Sequence, residues 1–253
     1  MIAFISDLHA NMPAIEAVFA DIDSLGTVDR IYCLGDVIGY GPQPVEALEM
    51  TIDRCSLILM GNHEAAVVGG AYGFREQARR AIEWTREAIR ENVKGPRGKR
   101  LWDLLRNLPS KHHFGDVLLV HGSPRDPVME YVLESDLWEG ADPRKMPEIF
   151  SLIDRLCFVG HTHRPGVFTE DLCFLPAKDL LDGYDISDGQ KYLINVGSVG
   201  QPRDDDPRAC YCLFSGDAVY FRRVEYDIEA TASLVRANPH LGARLAERLA
   251  KGQ

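Results

Sequence analysis

Five short apolar runs in this chain each stop at a small polar loop, and that pattern limits what the chain can fold into. Ile2-Ala3-Phe4-Ile5 runs into Ser6-Asp7-Leu8-His9, and Ile31-Tyr32-Cys33-Leu34 into Gly35-Asp36. Leu57-Ile58-Leu59-Met60 ends in Gly61-Asn62-His63-Glu64, and Val117-Leu118-Leu119-Val120 in His121-Gly122-Ser123. Cys157-Phe158-Val159 ends in Gly160-His161-Thr162-His163. An apolar run of this length bounded by turn residues reads as a buried strand. The loop after it lies at the carboxyl edge of a sheet, where α/β folds collect their chemistry. One such loop is an ordinary turn. Five that converge on Asp, His and Asn make a set of metal ligands.

Between these loops the chain alternates strand and helix. Ile15, Val18, Phe19, Ile22 and Leu25 form a helical stripe after Pro13, closed by Gly26. A Gly/Pro-rich loop, Gly35 to Pro42, precedes a short helix near Val45 to Ile52. This order reads as right-handed βαβ units in a largely parallel sheet. No strand is expected from Glu64 to about Leu108. There Phe74, Ala78, Ala81, Ile82, Thr85, Ala88, Ile89 and Val93 mark one long amphipathic helix. It is expected to end at Gly95-Pro96-Arg97-Gly98, with a shorter helix over Leu101 to Leu108. The remainder reads as a hairpin turning at Gly115-Asp116, a Pro- and acid-rich loop over 124–147, and short, mostly antiparallel strands. One or two closing helices follow from Ile228.

At 253 residues the chain can bury a full core as one domain. No apolar stretch reaches the roughly 18 residues needed to cross a bilayer. The first strand starts at Ile2, so a cytoplasmic location is expected, and no membrane partner. Of the six cysteines, Cys33, Cys157, Cys210 and Cys212 fall in expected strands and read as buried free thiols. A net charge of −10 argues against a stable nucleic-acid partner. Residues 71–107 nevertheless hold ten Lys/Arg against five acids, about +5, which leaves about −15 for the rest. Such an excess either draws a phosphorylated substrate or is a solvated helix face that balances an acidic body.

Taken together, Asp7-x-His9, Gly35-Asp36, Gly61-Asn62-His63-Glu64, His121 and Gly160-His161-Thr162-His163 resemble the calcineurin-like metallophosphoesterases. All five motifs occur in order over essentially the whole chain. The stretches 35–42, 121–126 and 195–204 are similar to the bacterial and archaeal phosphodiesterase-like branch of that superfamily. The resemblance implies an α/β fold, a four-layer α/β/β/α sandwich of two mixed sheets. It would form a single domain over 1–253 with a helical cap insertion at about 65–110.

The resemblance also implies two divalent metal ions. Asp7, His9 and His163 would hold one, Asn62, His121 and His161 the other, and Asp36 would bridge them. Imidazole and carboxylate ligands without thiolate suit Mn²⁺ first, with Fe, Zn, Co and Ni as the other choices. Two such ions, two aspartates and a bridging hydroxide sum to about +1, a charge ready for phosphate. His63 is left over, and is the candidate to protonate the leaving oxygen or to stabilise the transition state. Arg164, Arg203 and Arg125 follow metal motifs closely enough to be phosphate-binding candidates. Glu64 is expected to cap the helix that enters the insertion. The implied reaction is attack on phosphorus by the bridging hydroxide, on a small phosphodiester, nucleotide-derived substrates included. The alternatives are a phosphomonoesterase, a protein serine/threonine phosphatase, or a metal-bound interaction scaffold without catalysis. One departure weighs against the protein phosphatases. They carry an Asp-Arg pair three and four residues after the bridging aspartate, and here those places are Gly39 and Tyr40, so what orients His63 is left open. Monomer and homo-oligomer are equally compatible with the sequence.

Overall fold

Strands that are apolar at every position need cover on both faces, and the fold supplies it with helices outside two stacked sheets. The computed structural model describes residues 1–186 and 189–253. Its strands in chain order begin with β1 (Ile2–Ile5), β2 (Arg30–Cys33), β3 (Leu57–Ile58), β4 (Lys111–Phe114), β5 (Val117–Val120) and β6 (Leu156–Val159). They continue with β7 (Gly166–Thr169), β8 (Phe174–Pro176), β9 (Tyr184–Asp185), β10 (Tyr192–Asn195), β11 (Ala209–Phe214) and β12 (Ala218–Val224). The helices are α1 (Met12–Leu25), α2 (Pro44–Arg54), α3 (Asn62–Gly69), α4 (Glu76–Glu87), α5 (Gly95–Asn107), α6 (Lys145–Ser151), α7 (Ile228–Ala237) and α8 (Ala243–Leu249).

One sheet runs β3-β2-β1-β11-β12-β9 and the other β4-β5-β6-β10-β7-β8. Both are mixed: β1, β2 and β3 pair parallel, as do β5, β6 and β10, while the remaining pairs are antiparallel. Within each apolar run the side chains alternate faces. Phe4, Leu119 and Phe158 point into the layer between the sheets, where the Phe4 and Phe158 rings stack at 4.1 Å. Ala3 and Ile5 point outward to α1 and α2. Leu118, Val120, Cys157 and Val159 point outward on the opposite side, to α6. Each fully buried aromatic or aliphatic side chain here contributes about 1.5–3 kcal/mol. This arrangement sets the carboxyl ends of β1, β2 and β3 beside those of β5 and β6, at one rim of the sandwich.

The sequence reading needs correction between residues 74 and 107. The long helix expected over Phe74 to Val93 is instead α4 followed by a widened π-helical turn over Ala88–Asn92, and the shorter helix expected over Leu101 to Leu108 begins earlier, as α5. Gly95-Pro96 opens α5 instead of merely ending a helix, because proline lacks the N–H that a first turn leaves unused. The π turn keeps Ile89 in the core beside Leu101 and Leu105. Helix α6 starts at Lys145, inside the stretch 124–147 expected as loop, and the two-residue edge strand β9 gave no pattern to read. The four strand cysteines are buried, and burial pushes the Cys210 thiol up to about 12. Among the described residues no helix is long and apolar enough to cross a membrane.

Candidate metal centre

The five loops expected to carry ligands meet at that rim. Nε2 of His9 lies 3.1 Å from Nε2 of His163, and Nε2 of His121 lies 3.1 Å from Nδ1 of His161 and 3.0 Å from Oδ1 of Asn62. Oδ1 of Asp7 is 3.1 Å from His163 Nε2 and 3.9 Å from His9 Nε2. Between the two groups sits Asp36, its Oδ2 3.9 Å from His9 Nε2 and 3.4 Å from His121 Nε2. All seven side chains are buried.

The outer atoms of these residues show what the inner atoms are for. His9 Nδ1 faces the Ile38 carbonyl at 3.3 Å, His121 Nδ1 that of Leu34 at 3.0 Å, and His163 Nδ1 that of Gln201 at 2.5 Å. His161 is turned the other way, its Nε2 3.2 Å from the Met129 carbonyl. A carbonyl only accepts, so each outer nitrogen donates its N–H and leaves a lone pair on the inner nitrogen. The aspartates divide in the same manner. Asp7 Oδ2 accepts the main-chain N–H of His161 at 3.0 Å and Asp36 Oδ1 the main-chain N–H of His63 at 2.9 Å. Asp7 Oδ1 is buried without a hydrogen-bond partner. Lone pairs crowded to about 3 Å repel one another unless a cation lies among them. The surroundings favour positive charge: against burial, the Asp36 carboxylate beside it raises the His121 ring to about 9. The donor set fits two divalent cations.

The backbone is bent to make this possible. Asp7, His9, Asp36, His161 and His163 all have positive φ, between 47° and 66°. L-residues rarely adopt that region, at a cost of roughly 1–2 kcal/mol each, and such residues gather at functional sites. Neighbouring contacts hold the bends. Glu64 Oε2 accepts the Gly61 N–H at 2.9 Å and the Asp36 N–H at 2.8 Å, while Oε1 accepts that of Ile38 at 3.1 Å. It therefore caps α3, as expected, and ties the Asp36 loop to it. Burial and Asp36 push its acid up to about 7, whereas the three N–H groups favour the carboxylate. The stretch after β10 does similar work: Asn195 Nδ2 donates to the Gly160 carbonyl at 2.7 Å and Ser198 Oγ to that of Asp7 at 2.8 Å.

His63 has no carbonyl on either ring nitrogen, unlike the four histidines above. Its Nδ1 is buried without a partner. Its ring packs edge-on against Tyr40 at 4.3 Å, Phe74 at 5.6 Å and His9 at 4.9 Å. Here Gly39-Tyr40 finds its use: Tyr40 is the surface against which the imidazole lies, and Gly39 makes room for it. A Cβ on Gly39 would fall 2.0 Å from His63 Nδ1, and the residue also has φ +84. Gly39→Ala should therefore move the imidazole and lower kcat by about 10²-fold, the typical loss for a misplacement near 1 Å, with metal content retained. Unchanged kcat at full metal content would show that this contact does not position His63.

The three arginine candidates separate. Arg203 is at the site: its N–H donates to the His163 carbonyl at 3.2 Å and its guanidinium lies 6.0 Å over the Tyr40 ring. Arg125 is not available to substrate. It pairs with Glu130 at 2.6 Å and Glu148 at 2.5 Å, which fixes the loop after His121. Arg164 is exposed and lines a different groove with Phe174 and Lys178, because the chain reverses at His163 and turns the next side chain away. Within the basic 71–107 segment, Arg86 and Arg90 lie over the Trp102 ring and not at the site. The open groove of about 490 Å³ beside Asn62 and His161 is lined instead by Arg75, Arg203 and Arg248 and by Tyr72, Phe74 and Tyr131. Apart from Arg203, none of these was legible as a site residue, since nothing local marks them; Phe74 was read only as part of a helical stripe and stands just ahead of α4.

A family model for the calcineurin-like phosphoesterase superfamily domain matches residues 1–218. An uncharacterised protein of Methanocaldococcus jannaschii is 37% identical over 261 residues, covering 100% of this chain and 98% of its own length. The crystal structure of a metallophosphoesterase from Sphaerobacter thermophilus superposes with a TM-score of 0.81 at 38% identity, covering 100% of this chain and 98% of that one. The symmetrical bis(5'-nucleosyl)-tetraphosphatase of Acidovorax ebreus is 28% identical over 123 residues, which is 46% of this chain and 42% of that protein.

Proposed function

This chain belongs to the calcineurin-like phosphoesterase superfamily, a superfamily of metal-dependent phosphoesterases, and from that premise we propose that it hydrolyses nucleotide-derived phosphodiesters at a two-metal centre. The observation that carries the reading is the set of inward lone pairs on four buried histidines, each with its outer nitrogen on a backbone carbonyl. Asp7, His9 and His163 would hold one ion, Asn62, His121 and His161 the other, and Asp36 both. Held there, divalent ions supply Lewis acidity toward a phosphoryl oxygen and lower the pKa of water enough to make it a nucleophile at neutral pH.

The chain's own residues supply the rest. Arg203, charged and beside the centre, grips the phosphate. His63 faces the departing oxygen. Burial pulls its ring down to about 4, opposed by Asp36 and aided by Arg203, so the imidazole is neutral and acts through an N–H. Nδ1 is enclosed against Gly39, which leaves Nε2 for that role. The nucleoside part of the reading rests on the exposed rings along the groove. Tyr131 stacks on His161 at 3.7 Å and Tyr72 is 86% exposed. Such rings take up a base by stacking, worth about 1–3 kcal/mol. The helical segment 65–110 would act as a cap, since Tyr72, Phe74 and Arg75 reach the groove from it.

The test is a substrate panel on protein reconstituted with Mn²⁺, and in parallel with Fe, Zn, Co or Ni. Two ions per chain and faster turnover of bis-p-nitrophenyl phosphate than of p-nitrophenyl phosphate are expected, with turnover of a dinucleoside tetraphosphate. Preference for the monoester or for a phosphopeptide would replace this reading with a phosphatase. Two bound ions without turnover of anything on the panel would leave a metal-bound scaffold.

A further inference from the structure

Three guanidinium groups border the groove, and among the described residues none of them is within ion-pair distance of an Asp or Glu side chain. Most other arginines of the fold differ, as Arg125, Arg222 and Arg223 illustrate with their carboxylate partners. Arg203 donates from Nη2 to Gln201 Oε1 at 2.8 Å, but its Nε is buried with no partner. Arg248 donates from Nε to the main-chain oxygen of Gln253 at 2.6 Å, and among the described residues its side chain makes no other hydrogen bond. The Arg75 side chain makes none among the described residues.

The three come from distant parts of the chain: Arg75 just before α4, Arg203 after β10 and Arg248 within α8. They nevertheless line one groove with Asn62 and His161. Arg75 and Arg248, with Tyr40, also line the adjoining groove, which Arg244 and Lys251 extend and in which Glu247 is the carboxylate. The positions are graded. Arg203 acts electrostatically on His63 and His163, at the metal centre. Arg248 feels Arg203, Tyr40 and Arg244, one step farther out. Burial and Arg203 together pull the Arg248 guanidinium down to about 10, so the two cations oppose each other in a partly dry groove. An anion between such groups would relieve that opposition and accept forked N–H bonds from each.

We infer that Arg75 and Arg248 form a subsite for a second phosphate group beyond the one held at the metal centre, so that the preferred substrate is a nucleotide carrying a phosphoanhydride chain. The inference rests on the phosphodiesterase reading of the centre, and it deepens that reading by naming the substrate class. A phosphoanhydride chain has its next anionic phosphate immediately beyond the scissile one, where the graded arginines continue. A simple diester has no second charge to place there.

Calorimetry on the full chain stripped of metal, with inorganic tripolyphosphate and with inorganic phosphate as probes, tests the subsite directly. The wild-type protein should bind tripolyphosphate, and more weakly as salt is raised. Arg75→Gln combined with Arg248→Gln should weaken tripolyphosphate by about 10²-fold, roughly tenfold for each guanidinium removed. Inorganic phosphate should weaken by much less, and Arg248→Lys should fall between. With metal restored, kcat/KM for a dinucleoside tetraphosphate should drop at least about tenfold more in the double variant than kcat/KM for bis-p-nitrophenyl phosphate. Unmoved tripolyphosphate affinity in a variant with native circular dichroism would overturn the subsite, as would equal losses on the two substrates. A larger loss for a short oligonucleotide than for tripolyphosphate would overturn it in favour of a nucleic-acid ligand. If the metal-loaded wild type turns over neither substrate while tripolyphosphate binding still depends on both arginines, the phosphodiesterase reading fails and the anion subsite stands.

Discussion

Asp36→Asn is expected to release at least one metal ion and to lower turnover by about 10³-fold or more, the upper range for removing one preorganised electrostatic group. Asp36 divides its two oxygens between two tasks. Oδ1 accepts the His63 N–H at 2.9 Å, and Oδ2 faces His9 at 3.9 Å and His121 at 3.4 Å, one imidazole from each half of the centre. Despite burial, which would raise it, the His121 and His63 rings hold its acid well below the usual carboxylate range. The residue is therefore an anion placed among groups that await cations. An amide keeps the shape but has no charge to share between two ions. The backbone should tolerate the change, since asparagine is among the residues that best accept the φ of 52° found here. Metal content and turnover measured on the same preparation check the expectation. Wild-type turnover with both ions bound would remove Asp36 from the mechanism.

His63→Asn should cost about 10²–10³-fold in kcat on a substrate with a poor, alkyl leaving group. Metal content should not change, because the four histidines anchored to backbone carbonyls, the two aspartates and Asn62 would complete the donor set without it. On p-nitrophenyl esters the loss should be much smaller, because a stable phenolate needs little help to depart. The structure also shows the competing role. One His63 atom lies within 4.8 Å of donor atoms on His9 and Asp36, close enough to share an ion. Loss of a metal ion in the variant would assign it that role. Equal losses on good and poor leaving groups would instead make His63 a stabiliser of charge on the phosphoryl oxygens.

The loops that gather at the rim were legible because their signal is local. A strand buried on both faces must be apolar at every position, and the residue that breaks the run stands at the sheet edge. Asp7, Asp36, Asn62, His121, His161 and His163 could each be read from a few neighbours. Glu64 was legible for the same reason, since its bond to the Gly61 N–H spans three residues. The break in the helix expected over Phe74 to Val93 was not. The periodicity of Phe74 to Val93 continues through the π turn, so the apolar pattern is the same whether the helix is regular or widened.

What the sequence by itself determined, then, is the fold class and the identity of the groups that gather at one rim of the sandwich. Burial pattern and turn chemistry are properties of a short stretch of chain. Only the tertiary structure decided which charges are left for a substrate. Arg125 stands four residues beyond His121 and is taken by Glu130 and Glu148. Arg248, at the far end of the chain, reaches the groove and meets no Asp or Glu side chain there. Whether a cation is free depends on the carboxylates around it in space, and those stand as near in sequence as Glu130 does to Arg125 or as far as Asp21 does from Arg222. The orientation of His63 was settled in the same way, because Tyr40 and Phe74 converge on its ring from separate segments, across a glycine whose missing side chain is the space the imidazole occupies.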